Sequence, residues 1–253
     1  MKILIGSTGL IGSTLKQNLT FDFEYNSKSI HQYNPPNGCD LYLSCLPSTK
    51  WLVNQRTKDD IENVVDIIRI ISQFNYKNIY LVSTVDIYGD SPKEVDEDYE
   101  PIFKTFSYGS NRYLFEKMVS QHLNYETIKI FRLPALFSND IKKNILYDLL
   151  HNNNISMINK NTIFQWYNLN NLTDDIEFFT KKYPNDIIFN LFTEPLNSEE
   201  IINLFPQHKE NINDSYSNII YNYKTKYTPT GYLKSKDVIL NEIKKLINEF
   251  IIK

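Results

Sequence analysis

The residues of this chain best suited to chemistry lie near its start. Gly6-Ser7-Thr8-Gly9-Leu10-Ile11-Gly12 follows directly on the apolar run Ile3-Leu4-Ile5 and holds three of the seven glycines in the protein. An apolar run of this kind reads as a strand buried on both faces. Glycine is needed where the backbone turns tightly, approaches a ligand closely or lets a helix press on a strand. Ile11, Leu15 and Leu19 then recur at helical spacing. The glycine-rich stretch therefore opens a helix whose first N–H groups and positive dipole end suit a pyrophosphate. The chemistry implied here is the grip of a dinucleotide.

Two further clusters carry side chains capable of proton chemistry. Ser83-Thr84-Val85-Asp86-Ile87-Tyr88-Gly89 follows the apolar run Ile79-Tyr80-Leu81-Val82, and Tyr108-Gly109-Ser110-Asn111-Arg112 opens a helical pattern with Glu116 one turn on. Moving a hydride to or from a carbinol carbon requires a proton to move on the attached oxygen. A tyrosine, of reference pKa about 10, is a poor base unless a nearby cation stabilises its phenolate. A hydroxyl on a neighbouring strand completes such a site by holding the reacting oxygen.

The elements that must position these groups alternate. Strands are expected at 2–5, 21–25, 40–45, 79–83, 128–133 and 187–191. Ile61, Val64, Val65, Ile68 and Ile71 mark a helix over 58–74, and others are expected at about 108–122, 141–151 and 238–252. Ser198 is a candidate cap for a helix beginning near Asn197. Alternating strands and helices argue for an α/β fold with a doubly wound, mostly parallel, Rossmann-like sheet. Residues 1–134 form the expected dinucleotide-binding core. Residues 135–253 form a mixed segment that returns a strand to the core and builds a smaller substrate-binding lobe.

Composition excludes several other functions. The net charge of −3, with mixed signs, gives no footprint for nucleic acid. No apolar stretch approaches the roughly 20 residues that span a bilayer, and the N-terminal run is too short for a signal-peptide core. Cys39 and Cys45 form neither a C-x-x-C pair nor a disulfide framework. His31, His122, His151 and His208 are scattered without zinc-ligand spacing, so no metal site is expected. The expected setting is the reducing cytoplasm.

Taken in order, the glycine turn, the Ser-Thr strand end and the Tyr108 helix resemble the extended short-chain dehydrogenase/reductase family. Its members are nucleotide-sugar epimerases, dehydratases and reductases. The likeness continues through Arg132-Leu133-Pro134, Gln165-Trp166-Tyr167 and Asn190 to Glu200. The resemblance implies a catalytic set of Thr84, Tyr108 and Arg112, with Thr84 holding the reacting oxygen and Tyr108 as the acid or base. It implies cofactor contacts at Gly6, Ser7, Thr8, Gly9, Leu10, Ile11 and Gly12, and at the second-strand tip Asn26-Ser27-Lys28. Further contacts follow at the loop Cys45-Leu46-Pro47 and at Tyr108, Arg112 and Leu133. Thr84, Asp86 and Asn144 are the substrate-side candidates, and a homodimer through the 58–74 and 108–122 helices is implied.

The departures from that family narrow the expectation. Arg112 stands where the family has lysine. Arginine keeps the charge and the donors but is planar, larger and not deprotonated in proteins. Arg112 is thus expected to grip a ribose and acidify Tyr108 without relaying protons. The family's dehydratases place an Asp-Glu pair after the strand-end threonine. Here Val85 and Asp86 stand there, and an aliphatic side chain cannot protonate a leaving hydroxyl. A substrate-contacting asparagine of the family falls at Ala135, and Asn144 is the candidate in its stead. The tip Asn26-Ser27-Lys28-Ser29 has no acid and one cation, which favours NADP, with NAD the alternative. Only about a dozen residues separate Ser27 from Asp40, too few for the family's helix and strand, so the first Rossmann half is expected to be abbreviated. The expected activity is NAD(P)-dependent reduction of a nucleotide-linked sugar, most simply at a 4-keto group with Tyr108 as general acid. A nucleotide-sugar epimerase and a catalytically silent dinucleotide binder are the alternatives.

Overall fold

The computed structural model describes residues 1–89, 91–215 and 219–252. The chain enters through β1 (Lys2–Ile5), whose Ile3, Leu4 and Ile5 are all withdrawn from water. Burial on both faces at once requires neighbours on each side. A parallel sheet clad by helices supplies them. β1 pairs in parallel with β2 (Phe23–Tyr25) on one side and β3 (Cys39–Leu43) on the other. β3 pairs in parallel with β4 (Asn75–Thr84), and β5 (Asn124–Leu133) and β9 (Ile188–Asn190) complete the order β2-β1-β3-β4-β5-β9.

Residue alternation along the strands divides the two faces. Ile3, Ile5, Leu41, Leu43, Ile79, Leu81, Ile128 and Ile130 face helices α3 (Thr57–Ile71) and α4 (Tyr108–His122), meeting Val64, Ile67, Ile68, Phe115 and Val119. Each such aliphatic side chain withdrawn from water contributes about 1.5–3 kcal/mol. On the other face, Tyr42 and Tyr80 stack at 4.6 Å, and Phe189 packs on Phe131 and on Phe179 at 5.3 and 5.1 Å. Phe179 comes from α6 (Leu172–Lys182), which lies beside α1 (Leu10–Asn18). The sheet is thus doubly wound, as expected.

Between β2 and β3 there is a single turn of 3₁₀ helix, Ile30–Gln32, where a full Rossmann half has a helix and a strand. A short helix unforeseen from the sequence, α2 (Lys50–Gln55), leads into α3. Its Lys50 and Asn54 bear on the site below.

The chain forms two compact units that interleave along the sequence. Residues 1–91, 99–132 and 171–189 make the first, and 92–98, 133–170 and 190–253 the second. The sequence reading expected a strand near 187–191 to return to the core; here α6 belongs to the first unit as well. In the second unit β6 (Ala135–Phe137) runs parallel to β8 (Trp166–Asn168), and β7 (Ile163–Phe164) antiparallel to β10 (Leu196–Asn197). Its helices are α5 (Ile145–His151), α7 (Ser198–Ile202) and α8 (Lys236–Ile252). The cap of α7 is Asn197, in a capping box with Glu200, whereas Ser198 is buried against Thr162.

Candidate active site

The glycine turn divides its labour by residue. Gly6 has φ +98°, and a Cβ there would meet the Ser44 carbonyl oxygen at 2.3 Å, so both conformation and the approach of β3 demand glycine. A Cβ on Gly12 would lie 2.2 Å from the Gly6 carbonyl oxygen, so this glycine lets α1 press on the turn. Gly9 is the N-cap of α1 and provides no side-chain cap. The first intrahelical bond runs from Ser13 to Gly9, leaving the amides before it to a ligand. The amides of Gly6 and Ser7 tie the turn to the Tyr25 carbonyl at the end of β2.

Above this turn lies a cavity of about 560 Å³. Ser7, Leu10 and Gly12 of the turn do not line it; Gly6, Thr8, Gly9, Asn26, Ser27, Cys45, Leu46 and Pro47, also among the contacts the resemblance implied, do. Lys28 does not; its backbone amide binds Asn26 Oδ1 and its side chain is exposed. The opposite wall is a stripe of α3 that the sequence reading missed: Arg56, Asp59, Asp60, Asn63 and Ile67. Their three- and four-residue spacing puts them on one helix face, a signal readable in retrospect. Burial pushes the Cys45 thiol up to about 12, so it serves as a small neutral wall.

A second cavity of about 80 Å³ shares Ser44, Cys45, Leu46 and Ser48 with the first. Ile11, Ser83, Thr84, Tyr108 and Arg112 also line it. The three residues expected to be catalytic are therefore brought together. The Ser83 hydroxyl donates to Glu116, whereas Thr84 Oγ1 accepts the Asp86 amide at 3.2 Å and keeps its own proton to donate.

Tyr108 is placed by the start of α4. Ser107 and Ser110 form a capping box, and the Tyr108 amide donates to Asn54 Oδ1 of α2 at 2.7 Å. A Cβ on Gly109 would lie 2.0 Å from the Asp86 carbonyl oxygen, so the turn after β4 presses directly on α4 beside Tyr108. The Asp86 carboxylate pairs with Lys50 of α2 at 2.5 Å. Burial holds the Tyr108 phenol above the ordinary tyrosine range; Arg112 opposes the shift, Asp86 adds to it and Lys50 opposes it.

Arg112 is buried, and its guanidinium carbon lies 4.4 Å from the centre of the Tyr108 ring. Its Nη1 and Nη2 donate to the two oxygens of Asp60 at 2.7 and 3.2 Å, and Nη2 also donates to the Pro47 carbonyl at 2.5 Å. Asp60 was not foreseen. Two further expected residues are among the lining of neither cavity. Leu133 is buried at the end of β5. Asn144, in the second unit, caps α5 by accepting the Leu146 and Tyr147 amides while donating to the Leu136 carbonyl, so both ends of its amide are engaged. Among the described residues no histidine, cysteine and carboxylate cluster suits a metal, and no helix is long and apolar enough to cross a membrane.

No family model matches the sequence, and no curated protein matches it. Solved structures do. The dTDP-4-dehydrorhamnose reductase of Yersinia enterocolitica is 12% identical with a TM-score of 0.74, over 98% of this chain and 99% of that one. The dTDP-4-dehydrorhamnose reductase of Bacillus anthracis, solved with NADP, is 12% identical with a TM-score of 0.65, over 99% and 98%. The UDP-glucose 4-epimerase of Thermus thermophilus, solved with NAD, is 11% identical with a TM-score of 0.64, over 99% of each. At these identities the likeness is one of architecture: the chain has the fold of the extended short-chain dehydrogenases/reductases.

Proposed function

We propose that the chain is an NAD(P)-dependent oxidoreductase acting on a nucleotide-linked sugar, and that it reduces a 4-keto group with Tyr108 as general acid. One observation carries the reading. Thr84, Tyr108 and Arg112 line a small cavity that shares four residues with the larger cavity over the glycine turn. A dinucleotide fits the residues present. A cavity of about 560 Å³ is within the range of small-molecule sites, and the uncapped start of α1 suits a diphosphate. The reductases and epimerase of the same fold, two of them solved with NADP or NAD, support the same class.

When bound, a reduced nicotinamide dinucleotide supplies the hydride. The chain supplies the rest. The Gly6–Gly9 turn and the first amides of α1 hold the diphosphate, and Asn26 and Ser27 face the adenosine ribose. With no acid at that tip, NADP is the favoured form. Thr84 donates its hydroxyl proton in a hydrogen bond to the ketone oxygen, and Tyr108 transfers its proton to that oxygen. Val85 gives no acid for expelling a hydroxyl, so the reaction stops at the alcohol. We include a homodimer through α3 and α4 in this reading, since Val65 is 45% exposed and shares a surface groove with Met118 and His122.

The test is NADPH oxidation with a panel of nucleotide-linked 4-keto sugars. Tyr108→Phe is expected to lower turnover by at least about 100-fold and to leave NADPH affinity unchanged. Equal turnover in that variant would remove Tyr108 from the reaction. NADPH binding with no turnover on any member of the panel would leave a binding protein instead.

A further inference from the structure

Lysine beside an active-site tyrosine is a free point charge, whereas Arg112 is a cation already held. Asp60, on α3 and 6% exposed, grips it through both carboxylate oxygens and takes the Asn111 amide at 2.9 Å as well. With the Pro47 carbonyl, three of the five N–H groups of the guanidinium are engaged. The guanidinium carbon lies over the Tyr108 ring, 4.4 Å from its centre. On the other side, Lys50 of α2 and Asp86 of the turn after β4 also stand as a pair. The charges facing Tyr108 from α2, α3, α4 and this turn therefore arrive as two neutral couples, Arg112 with Asp60 and Lys50 with Asp86.

An opposite charge lowers a phenol's pKa only to the extent that it is uncompensated, and burial disfavours the phenolate. We infer that Asp60 is a positioning residue that commits the site to giving a proton rather than taking one: by gripping Arg112 it keeps Tyr108 a neutral phenol. The inference rests on the reading of Tyr108 as the acid that meets the ketone oxygen. In the reductive direction the Tyr108 O–H bond breaks and its proton goes to the ketone oxygen. The ketone carbon is reduced by the hydride, and the phenolate regains a proton from water. The reverse oxidation needs a phenolate at the outset, which this arrangement withholds. Burial is the first cause holding the Tyr108 titration above the ordinary range, and it prevails over the opposing charge and hydrogen bond of Arg112.

The closing experiment follows tyrosinate absorbance against pH, each protein being subtracted from the same background carrying Tyr108→Phe. With Asp60 in place, no tyrosinate from residue 108 is expected below about pH 10. Asp60→Asn keeps the size but removes the charge and one of the two acceptor oxygens, which frees the Arg112 charge, and the midpoint is expected to fall by about one pH unit or more. The same variant should raise the ratio of alcohol oxidation to ketone reduction about tenfold. An unchanged midpoint in a folded Asp60→Asn protein would overturn the inference. Should that variant fail to fold, the unaltered protein still decides: a residue-108 midpoint below the ordinary value of about 10 would overturn it, and one at or above that value would support it. NADPH fluorescence titration, run in parallel, reads the cofactor assignment separately; its loss in the unaltered protein would refute the proposed function without moving the tyrosine titration.

Discussion

Glu116–Arg132 and Asp60–Arg112 are both buried and both bidentate, and each contributes one residue one turn apart on α4, but only the second borders the cavities described. Arg132 reaches Glu116 at 2.7 and 3.2 Å and donates to the Tyr88 hydroxyl at 2.8 Å, while Glu116 also accepts from Ser83. That network ties α4 to β4 and β5, and its Ser83 borders the small cavity while the ion pair itself does not. Asp60 faces the large cavity and Arg112 the small one. The same two functional groups therefore serve as scaffold in one place and set the surroundings of a reacting hydroxyl in the other. Access decides which. A third buried carboxylate, Glu97 of the second unit, has no cation on it among the described residues: it accepts from Thr225 Oγ1 and from the amides of Asn190 and Lys226.

Cutting each pair should separate these roles. The largest effect is expected for Arg132→Met, which strands Glu116 in the interior and should cost about 3–5 kcal/mol of unfolding free energy. That is a large share of the roughly 5–15 kcal/mol typical of a domain. Arg112→Met, whose partner borders a cavity open to water, should cost only about 1–3 kcal/mol. Chemical denaturation of the two variants checks the order, and equal losses would erase the distinction between scaffold and site. The smallest effect concerns Glu97. Burial holds its carboxyl above the ordinary glutamate range despite its three hydrogen bonds. The folded state then keeps a proton that the unfolded chain releases, so stability should fall as pH rises from the ordinary glutamate range through the raised one. Glu97→Gln should flatten that slope in an unfolding series against pH, and an unaltered slope would assign it to other groups.

Much of this was readable in the residue order. The glycine turn announced itself by its spacing behind an apolar strand: Gly12 answers to Gly6 within the turn, whereas the approach of Ser44 to Gly6 comes from far along the chain. The bounds of α4 followed from periodicity, and the short reach from Ser27 to Asp40 announced the missing helix and strand. Asp60, Asn54 and Lys50 were not foreseen, because their partners Arg112, Tyr108 and Asp86 lie far along the chain and only the fold brings them together. Ser198 and Asn197 are both good caps, and burial of Ser198 on Thr162 left the capping to Asn197. The family pattern puts its substrate-contacting asparagine at Ala135, and Asn144 was named only in its stead; the structure engages Asn144 at a helix start. Lys28 has the right charge at the right tip, yet the turn holds its side chain outside the lined cavity.

The most direct measurement of the central claim is the binding of NADPH to Gly9→Asp, followed by cofactor fluorescence. The backbone at Gly9 is extended, with φ −77°, and the nearest atom to a Cβ there is 3.4 Å away, so the substitution fits. Aspartate caps helices slightly better than glycine, by a few tenths of a kcal/mol, so thermal stability should hold or rise. Its carboxylate would nevertheless occupy the amides assigned to the diphosphate. The account expects saturable NADPH binding by the unaltered protein and its loss in this variant. Undiminished binding by Gly9→Asp, or none by the unaltered protein, would contradict it.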